Sequence, residues 1–318
     1  MESLLNNFAS PIVLAFVLGI ITKLIKSDLE FPKPLYQSLS IYLLVAIGLK
    51  GGIELSKTSI DVFLLPASAT LLLGIITPIT AFLVLRYLGK IDLINSAGIA
   101  AHYGSVSAVT FIASISYLND VGENPEGFMS TLLAILEVPG IIVALLIPQL
   151  MSKNSGSLKK ALHEVMTGSS IVLLVGGLII GFIAGPARFE SVSPFFVSGF
   201  QGALFLFLLE LGMVTATRLR DLKKVGFFLL GFGIIVPIIH GALAVWVGLM
   251  AGLSVGGAAV LATMVSSGSY IAAPAAVRIA LPKASPTLSL TASLGITFPF
   301  NITLGIPLYY LIAKILGG

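Results

Sequence analysis

Long apolar stretches dominate the chain and alternate with short polar segments. Each stretch approaches or exceeds the roughly 20 apolar residues that a helix needs to cross the hydrocarbon core of a bilayer. The stretches cover residues 10–26, 35–53, 61–87, 93–118, 127–151, 167–185, 194–216, 225–250, 255–280 and 288–316. The pattern predicts an all-α integral membrane protein with ten transmembrane helices.

The fourth and the ninth stretches are interrupted by small polar residues. The first interruption reads GSVSAVT over residues 104–110, and the second reads VSSGSYIAAP over residues 265–274. Glycine and serine expose backbone N–H and C=O groups, which a membrane tolerates only where protein or a water-filled cavity satisfies them. The fourth and ninth helices are therefore predicted to be broken and to line a cavity.

The two halves of the chain resemble each other locally. LLGIITPI at 72–79 aligns with GFGIIVPI at 231–238, and VPGIIVALLIP from residue 138 aligns with FPFNITLGIP from residue 298. The two interruptions fall at nearly the same shift. Because each half contains an odd number of helices, the second copy must enter the membrane from the opposite side. The pattern predicts a 5+5 inverted repeat of the kind found in secondary transporters.

Charge placement gives the orientation of this arrangement. Most of the 18 lysines and arginines lie in odd-numbered loops, whereas loop four holds Asp120, Glu123 and Glu126 without a cation. The positive-inside bias makes the odd loops cytoplasmic and both termini extracytoplasmic. The predicted domains are a first repeat over 1–151, a cytoplasmic linker over 152–166 and a second repeat over 167–318.

Composition excludes several classes of protein. Hydrophobic residues make up 57% of the chain, charged residues only 10%, and the mean hydropathy is +1.06, which leaves no room for a large soluble domain. The chain has no cysteine, so disulfides and thiol chemistry are excluded. His102 and His240 lack the partners of a metal site and are expected to be hydrogen-bonded packing residues. We expect no bound metal beyond Na⁺.

The two interruptions are expected to meet near the bilayer midplane, where free N–H groups at the half-helix N-termini suit a small anion. The candidate substrate-binding residues are Gly104, Ser105, Ser107 and Thr110 in the first interruption and Ser266, Ser267, Gly268 and Ser269 in the second. The alternative is that these small residues only allow close helix packing.

Glu137 is the main candidate for coupling transport to a cation. It lies mid-helix just before Pro139, whose ring removes an amide and frees a nearby carbonyl. A carboxylate beside a free carbonyl can bind Na⁺ or carry a proton, although it can also be a satisfied structural group. Asn301, two residues after Pro299, is the corresponding candidate in the second half.

Several separate segments of the chain resemble the cyanobacterial sodium-dependent bicarbonate transporters and their bacterial relatives. They are IGLKGGIEL (47–55), YGSVSAVT (103–110), LEVPG (136–140), LELGMVTATRLRDLKKV (209–225), VPIIHG (236–241), SSGSYIAAPAAVRIALPKASP (266–286) and GIPLY (305–309). The resemblance implies a trimer of ten-helix subunits that takes up bicarbonate with Na⁺ through the two broken helices. It also implies a PII-like cytoplasmic regulator, which acts with a central loop that is often longer than the one here.

The resemblance carries over residue by residue. Gly104, Ser107 and Thr110 match the first break, and Ser267, Ser269 and Pro274 match the second. Glu137 stands where the family has an aspartate. The chain departs from the family at Tyr270, an aspartate in the bicarbonate carriers, and at Ala272, a serine. Ala108 and Val109 replace a glycine and a serine. Tyr270 is therefore the third candidate for cation coupling.

Together these features predict a secondary-active permease of the bacterial inner membrane that takes up a small anion, bicarbonate being the expected substrate, with Na⁺. No Walker loop, GxSxG, dinucleotide or HExxH motif is present, so an enzyme is not expected. The expected partners are the anion, the lipid bilayer and other copies of the chain, and nucleic acid is not among them. The alternatives are an H⁺-coupled carrier of another small organic acid and a non-transporting membrane receptor.

Overall fold

A computed structural model describes residues 9–151, 157–219 and 222–318, with side chains other than those of 222–225. The structure is 83% helical, and its described residues form no strand, which confirms the all-α prediction. The first half contains α1 (Pro11–Leu24), α2 (Lys33–Lys57), α3 (Ile60–Leu83), α4 (Leu93–Tyr103), α5 (Ala108–Asp120), α6 (Met129–Glu137) and α7 (Pro139–Met151).

The second half follows a short connecting helix, α8 (Leu158–Thr167). Its helices are α9 (Ser169–Phe189), α10 (Phe200–Leu219), α11 (Leu222–Met250), α12 (Val255–Val265), α13 (Ala272–Ala280), α14 (Pro286–Leu290), α15 (Phe298–Phe300) and α16 (Ile306–Gly317). Short π-helical segments occupy Val84–Leu88, Pro194–Ser198, Thr291–Thr297 and Asn301–Gly305.

Eight helical segments of the described chain are long and apolar enough to cross a membrane. They are Lys33–Lys57, Ile60–Leu88, Leu93–Asp120, Met129–Met151, Ser169–Phe189, Pro194–Leu219, Gly226–Met250 and Pro286–Gly317. Two shorter apolar helices, α1 and α12, accompany them. The eight segments make the chain a multi-pass membrane protein and overlap eight of the ten predicted stretches, whereas the predicted stretches 10–26 and 255–280 contain only shorter helices.

Both predicted interruptions are breaks in the helical backbone. The first separates α4 from α5 at residues 104–107, and the second separates α12 from α13 at residues 266–271. Each broken helix starts at a capped end, because Asp92 accepts from the N–H groups of the first turn of α4 and Ser254 accepts from Gly257 at the start of α12. The caps fix where each broken helix enters the core.

The helical segments that contain Pro139 and Pro299 are also irregular near the proline. In the first half α6 ends at Glu137 and α7 begins at Pro139, which cannot donate a backbone hydrogen bond. In the second half the corresponding Pro299 lies in the three-residue helix α15, between two π-helical segments. Such π-helical turns shift backbone groups out of the regular α-helical ladder. The two halves therefore place an irregular helix beside each break.

The helices pack in two groups. In one group α1 packs on α10, α2 packs on α9, and α2 also contacts α10. Gly48 of α2 lies so close to α9 that an added Cβ would meet the Leu174 carbonyl oxygen at 2.4 Å. The other group holds the broken helices, with α4 against α3 and α7 in the first half and α12 against α11 and α16 in the second.

The predicted linker 152–166 lies partly outside the described residues, since residues 152–156 are not described. Its described part belongs to the amphipathic helix α8, which buries Ala161 and Val165 and leaves Lys159 and Lys160 exposed. Helix α8 packs against α13, the second half of the second broken helix. The connection between the halves is therefore a helix in contact with the candidate site region.

Candidate substrate site at two broken helices

The first break is a buried turn whose hydroxyls cap the following helix. Ser107 Oγ accepts from the Thr110 backbone N–H at 3.2 Å and from the Thr110 hydroxyl at 2.9 Å. Ser105, Ser107 and Thr110 are all buried. Ser107 thus satisfies one of the free N–H groups at the start of α5, as a serine at an N-cap position does.

The second break uses its serines in a similar way. Ser269 Oγ accepts from the Ala273 N–H at 3.3 Å, at the start of α13. Ser267 donates to the Met264 carbonyl at 2.7 Å, and Ser266 donates to the Thr263 carbonyl at 3.2 Å, both at the end of α12. These hydroxyls therefore satisfy backbone groups on both sides of the break.

The two breaks cross in direct contact. The Ser107 N–H donates to Ser267 Oγ at 2.8 Å, and the Ser269 N–H donates to the His102 carbonyl at 2.7 Å. Ser107 Oγ also makes a long hydrogen bond of 3.4 Å to the Tyr270 hydroxyl. Residues that are about 160 positions apart in the sequence thereby form one buried polar cluster.

His102 is a residue of this crossing that the sequence pattern did not reveal. Its Nδ1 lies 2.6 Å from the Ser269 carbonyl oxygen, and since a carbonyl only accepts, Nδ1 carries the proton. His102 thus contacts both backbone groups of Ser269, since its ring donates to the Ser269 carbonyl and its own carbonyl accepts from the Ser269 N–H. The expectation of a hydrogen-bonded packing histidine agrees with this contact, but the contact also positions the second break. The one sequence signal was its place two residues before Gly104. His240, the second histidine within an apolar stretch, contacts the Thr80 hydroxyl at 2.8 Å.

Glu137 lies against the first break. The carboxylate faces the Ser105 hydroxyl and the Val106 N–H, although the buried Ser105 Oγ is not aligned for a hydrogen bond. Glu137 is only 6% exposed, and no cationic side chain in the described part of the chain pairs with it. A buried carboxylate of this kind needs a bound cation or a proton, because an isolated charge is costly inside a membrane.

Asn301 holds the corresponding position beside the second break. Its Nδ2 donates to the Ser266 carbonyl at 3.1 Å, and its Oδ1 accepts from the Tyr309 hydroxyl at 3.0 Å. Asn301 is fully buried. Each break thus has one polar side chain beside it from a neighbouring helical segment, a carboxylate at the first break and an amide at the second.

Close backbone contacts explain the glycines of the two breaks. An added Cβ on Gly104 would meet Gly140 Cα and O at 2.9 Å, just after Pro139. At Gly268 it would meet the Ser293 side chain at 2.9 Å. Both glycines thus allow close packing at the breaks, beside the buried hydroxyls at the crossing.

A small cavity lies at the crossing. Ser107, Glu137, Tyr270 and Ser170 supply its polar lining, and it has room for about one water molecule. The predicted candidates thus divide by position. Ser107, Ser267, Ser269 and Tyr270 meet at the crossing, Ser105 faces Glu137, and Ser266 faces Asn301. Thr110 lies within the first turn of α5. Among the described residues, no cluster of three or more His, Cys, Asp or Glu side chains could hold a metal ion.

A membrane bundle with two crossing broken helices, hydroxyls at the crossing and an uncompensated carboxylate beside it has the architecture of a secondary transporter. The family model of the Na⁺-dependent bicarbonate transporter superfamily matches residues 11–314, and the chain belongs to that superfamily. It is a transporter and not an enzyme. Comparison with curated proteins finds no match.

Proposed function

We propose that this protein is a secondary-active permease of the bacterial inner membrane that takes up bicarbonate together with Na⁺. The observation that carries the proposal is the crossing of the two breaks, where residues at the N-terminal ends of α5 and α13 line one small cavity with the buried Glu137 carboxylate. Helix N-termini favour an anion, and a carboxylate favours a cation. One compact site can therefore hold both transported ions.

The helix packing supports an inverted repeat of ten spans. If the halves are 1–151 and 167–318, joined by the linker 152–166, the pairs α1–α10 and α2–α9 are equivalent under the repeat. The fourth spans, α4–α5 and α12–α13, are equivalent in the same way. In this arrangement the odd loops are cytoplasmic and both termini lie outside. One group of packed helices, formed by α1, α2, α9 and α10, provides a body against which the broken helices can rock.

For the anion, we assign Gly104, Ser105, Ser107 and Thr110 together with Ser266, Ser267, Gly268 and Ser269. Three of the hydroxyls, those of Ser107, Ser267 and Ser269, accept hydrogen bonds from backbone N–H groups at or near the crossing. An incoming oxyanion can take over such N–H donors while the hydroxyls turn to donate to it. The site is thus built from donors, as an anion requires.

For coupling to the cation, we assign Glu137 as the direct ligand and Tyr270 and Asn301 as neutral residues that support the two breaks around it. Na⁺ is a hard ion that prefers oxygen ligands, and Glu137, Ser105 and the free carbonyls near Pro139 provide them. Tyr270 supplies a neutral hydroxyl where relatives have an aspartate. Glu137 is consequently the carboxylate on which coupling depends in this chain.

Uptake of labelled bicarbonate into proteoliposomes tests the proposal. Uptake should require an inward Na⁺ gradient, fail with K⁺, and vanish in Ser269→Ala and in Glu137→Gln. The matched control is Ser68→Ala, an exposed serine of α3 that bonds only to its own helix. Uptake that is independent of Na⁺, or that survives both site variants, would contradict the proposal.

The buried Glu137 also favours a second candidate function, an H⁺-coupled carrier of another small organic acid. A proton neutralises the carboxylate as well as Na⁺ does. A pH jump across the proteoliposome membrane without Na⁺ separates the two, since only the H⁺-coupled carrier would accumulate its substrate. Ligand binding without any flux would instead favour a receptor.

Two further properties are proposed from the family alone. The first is a homotrimer, which light scattering of the detergent-solubilised protein would measure. The second is a PII-like regulator on the cytoplasmic face, for which helix α8 offers Lys159 and Lys160 next to α13. Removing both charges should then weaken binding of the regulator without changing basal uptake.

A further inference from the structure

A large cavity lies apart from the crossing of the breaks. It has a volume of about 510 Å³ and sits between α2, α5, α9 and α10 and the loops 119–127 and 189–193. These are the ends of the molecule that the charge pattern assigns to the outside. We call this cavity the outer vestibule, and its polar lining residues are Lys50, Glu54, Lys57, Asn119, Asn124, Glu126, Ser130, Glu190 and Ser193.

One face of α2 runs from the outer vestibule towards the crossing. Lys57, Glu54, Lys50 and Ile47 line the vestibule at spacings of three or four residues, which places them on one helix face. Ile47 also lines a smaller cavity below it. Leu44 lines both that smaller cavity and the one that contains Ser107 and Glu137, so the three cavities form a series along α2.

Among the described residues, three of the five charged side chains of the outer vestibule make an ion pair or a hydrogen bond. Lys57 pairs with Glu54 at 2.7 Å, and Glu126 Oε1 accepts from the Ser254 N–H at 2.6 Å, at the start of α12, whereas its buried Oε2 has no hydrogen-bond partner in the described part of the chain. Glu190 is exposed at the rim. Within the described residues, no carboxylate lies within ion-pairing distance of Lys50. Lys50 is therefore the cation of the vestibule that an ion pair does not neutralise.

Lys50 lies deeper than the other charges and is held in place. It is two helical turns from Lys57, or about 10 Å along the helix. Its Nζ lies 4.8 Å from the centre of the Phe200 ring, which also lines the vestibule. A lysine that only extended its charge to the water outside would not keep its ammonium over this buried ring. The contact directs the charge to the base of the cavity.

We propose that Lys50 forms a first binding site for a small oxyanion at the base of the outer vestibule, between the outer opening and the crossing of the breaks. The inference deepens the proposed uptake function and rests on its direction of transport. An anion bound at Lys50 would lie on the outer side of the crossing. Ile47 and Ile112 form the constriction below it, since both residues line the vestibule and the next cavity.

Charge-selective thiol labelling tests the site without requiring transport. Because the chain has no cysteine, Ser193→Cys places a single reporter thiol in the vestibule. The rates of reaction with a sulfonate and with a quaternary-ammonium methanethiosulfonate are compared. Lys50→Gln should lower the sulfonate-to-ammonium rate ratio about fivefold, because the local positive potential is lost. An unchanged ratio would overturn the proposal.

Lys57→Gln is the matched control, since Lys57 lines the same cavity but is paired with Glu54. It should change the ratio much less than Lys50→Gln does. An equal effect of the two variants would contradict a distinct anion site at Lys50. Lys50→Arg should keep the wild-type ratio. If Lys50→Gln does not fold, the arginine variant and a Lys50→Met variant with a similar stem supply the same comparison.

Uptake kinetics then separate this site from the proposed function. In Lys50→Gln the KM for bicarbonate should rise about tenfold while the maximal rate stays near that of the wild type, because the crossing itself is intact. Lys50→Arg should restore the KM. A wild-type protein that moves no bicarbonate would contradict the proposed function, whereas a normal KM in Lys50→Gln would contradict the role of Lys50.

Discussion

The two breaks have the same construction but differ in charge. Beside the first break stands Glu137, which faces Ser105 and Val106, whereas beside the second stands Asn301, whose amide bonds to the Ser266 carbonyl. The amide satisfies its neighbour with a neutral hydrogen bond. The carboxylate has no cationic partner among the described residues and leaves a charge to be balanced. Under the proposed function, cation coupling therefore depends on the first break, and the residue beside the second break stays neutral.

The largest expected effect comes from a variant that disrupts the packing of Gly104, in the first break, against α7. At Gly140 an added Cβ would overlap the Gly104 backbone, and neither backbone can move away inside the core. Gly140→Ala should therefore destabilise the protein by about 3 kcal/mol. Thermal unfolding in detergent measures the change, and Gly176→Ala is the control, since nothing lies within 4 Å of that Cβ position. Equal unfolding temperatures would contradict this packing.

Replacing the two polar residues one at a time tests the contrast between the two breaks. Glu137→Gln keeps the shape but removes the charge, so uptake at saturating Na⁺ should fall about 100-fold, to a residual level that no longer responds to Na⁺. Asn301→Ala leaves the Ser266 carbonyl without its donor and should reduce uptake by about tenfold with the Na⁺ dependence intact. Uptake measured against Na⁺ concentration distinguishes the two. A loss of Na⁺ dependence in the asparagine variant alone would reverse the assignment.

Tyr270 sharpens the comparison because it lies in the second break yet contacts the first. Tyr270→Phe removes a long hydrogen bond of 3.4 Å to Ser107 and leaves the ring packed on Phe298. The expected change in uptake is fivefold or less, since such a bond contributes about 1 kcal/mol or less. The apparent affinity for Na⁺ should stay unchanged, and a large loss of that affinity would show that the tyrosine oxygen binds the cation.

The sequence predicted the spans and the breaks because both depend on local composition. Apolar length defines a span, and runs of glycine and serine such as those at 104–107 and 266–269 weaken a helix where they stand. Pro139 and Pro299 likewise marked the irregular helical segments that contain them, although the π-helical turns around Pro299 depend on packing that a single proline does not reveal.

Contacts across the chain were not predictable in the same way. The bond between His102 and Ser269 joins residues 167 positions apart, and nothing in the local sequence selects that partner. The sequence also did not reveal that Lys50 lines a cavity, because a membrane helix can be apolar both on its lipid face and on its packed face. Which face of α2 lines a cavity follows only from the helices that surround it.

The smallest expected effects concern the caps that start the two broken helices. Asp92 and Ser254 each accept from the first turn of their helix, so Asp92→Ala and Ser254→Ala should each cost about 1 kcal/mol of stability. The two caps differ in their response to pH. Partial burial of Asp92 works against its charged form, but N–H groups of Asn95 and Ile94 outweigh it and hold the pKa of the carboxyl below its usual range.

A lowered pKa in the folded protein means that the Asp92 contribution is complete above the pKa of the unfolded chain and is lost as the pH falls through the folded value. The difference in unfolding temperature between the wild type and Asp92→Ala should therefore be full at pH 7 and shrink as the pH falls below about 4. The Ser254 hydroxyl does not titrate in this range, so its difference should persist. A parallel pH dependence of both variants would show that the two caps do not differ in charge.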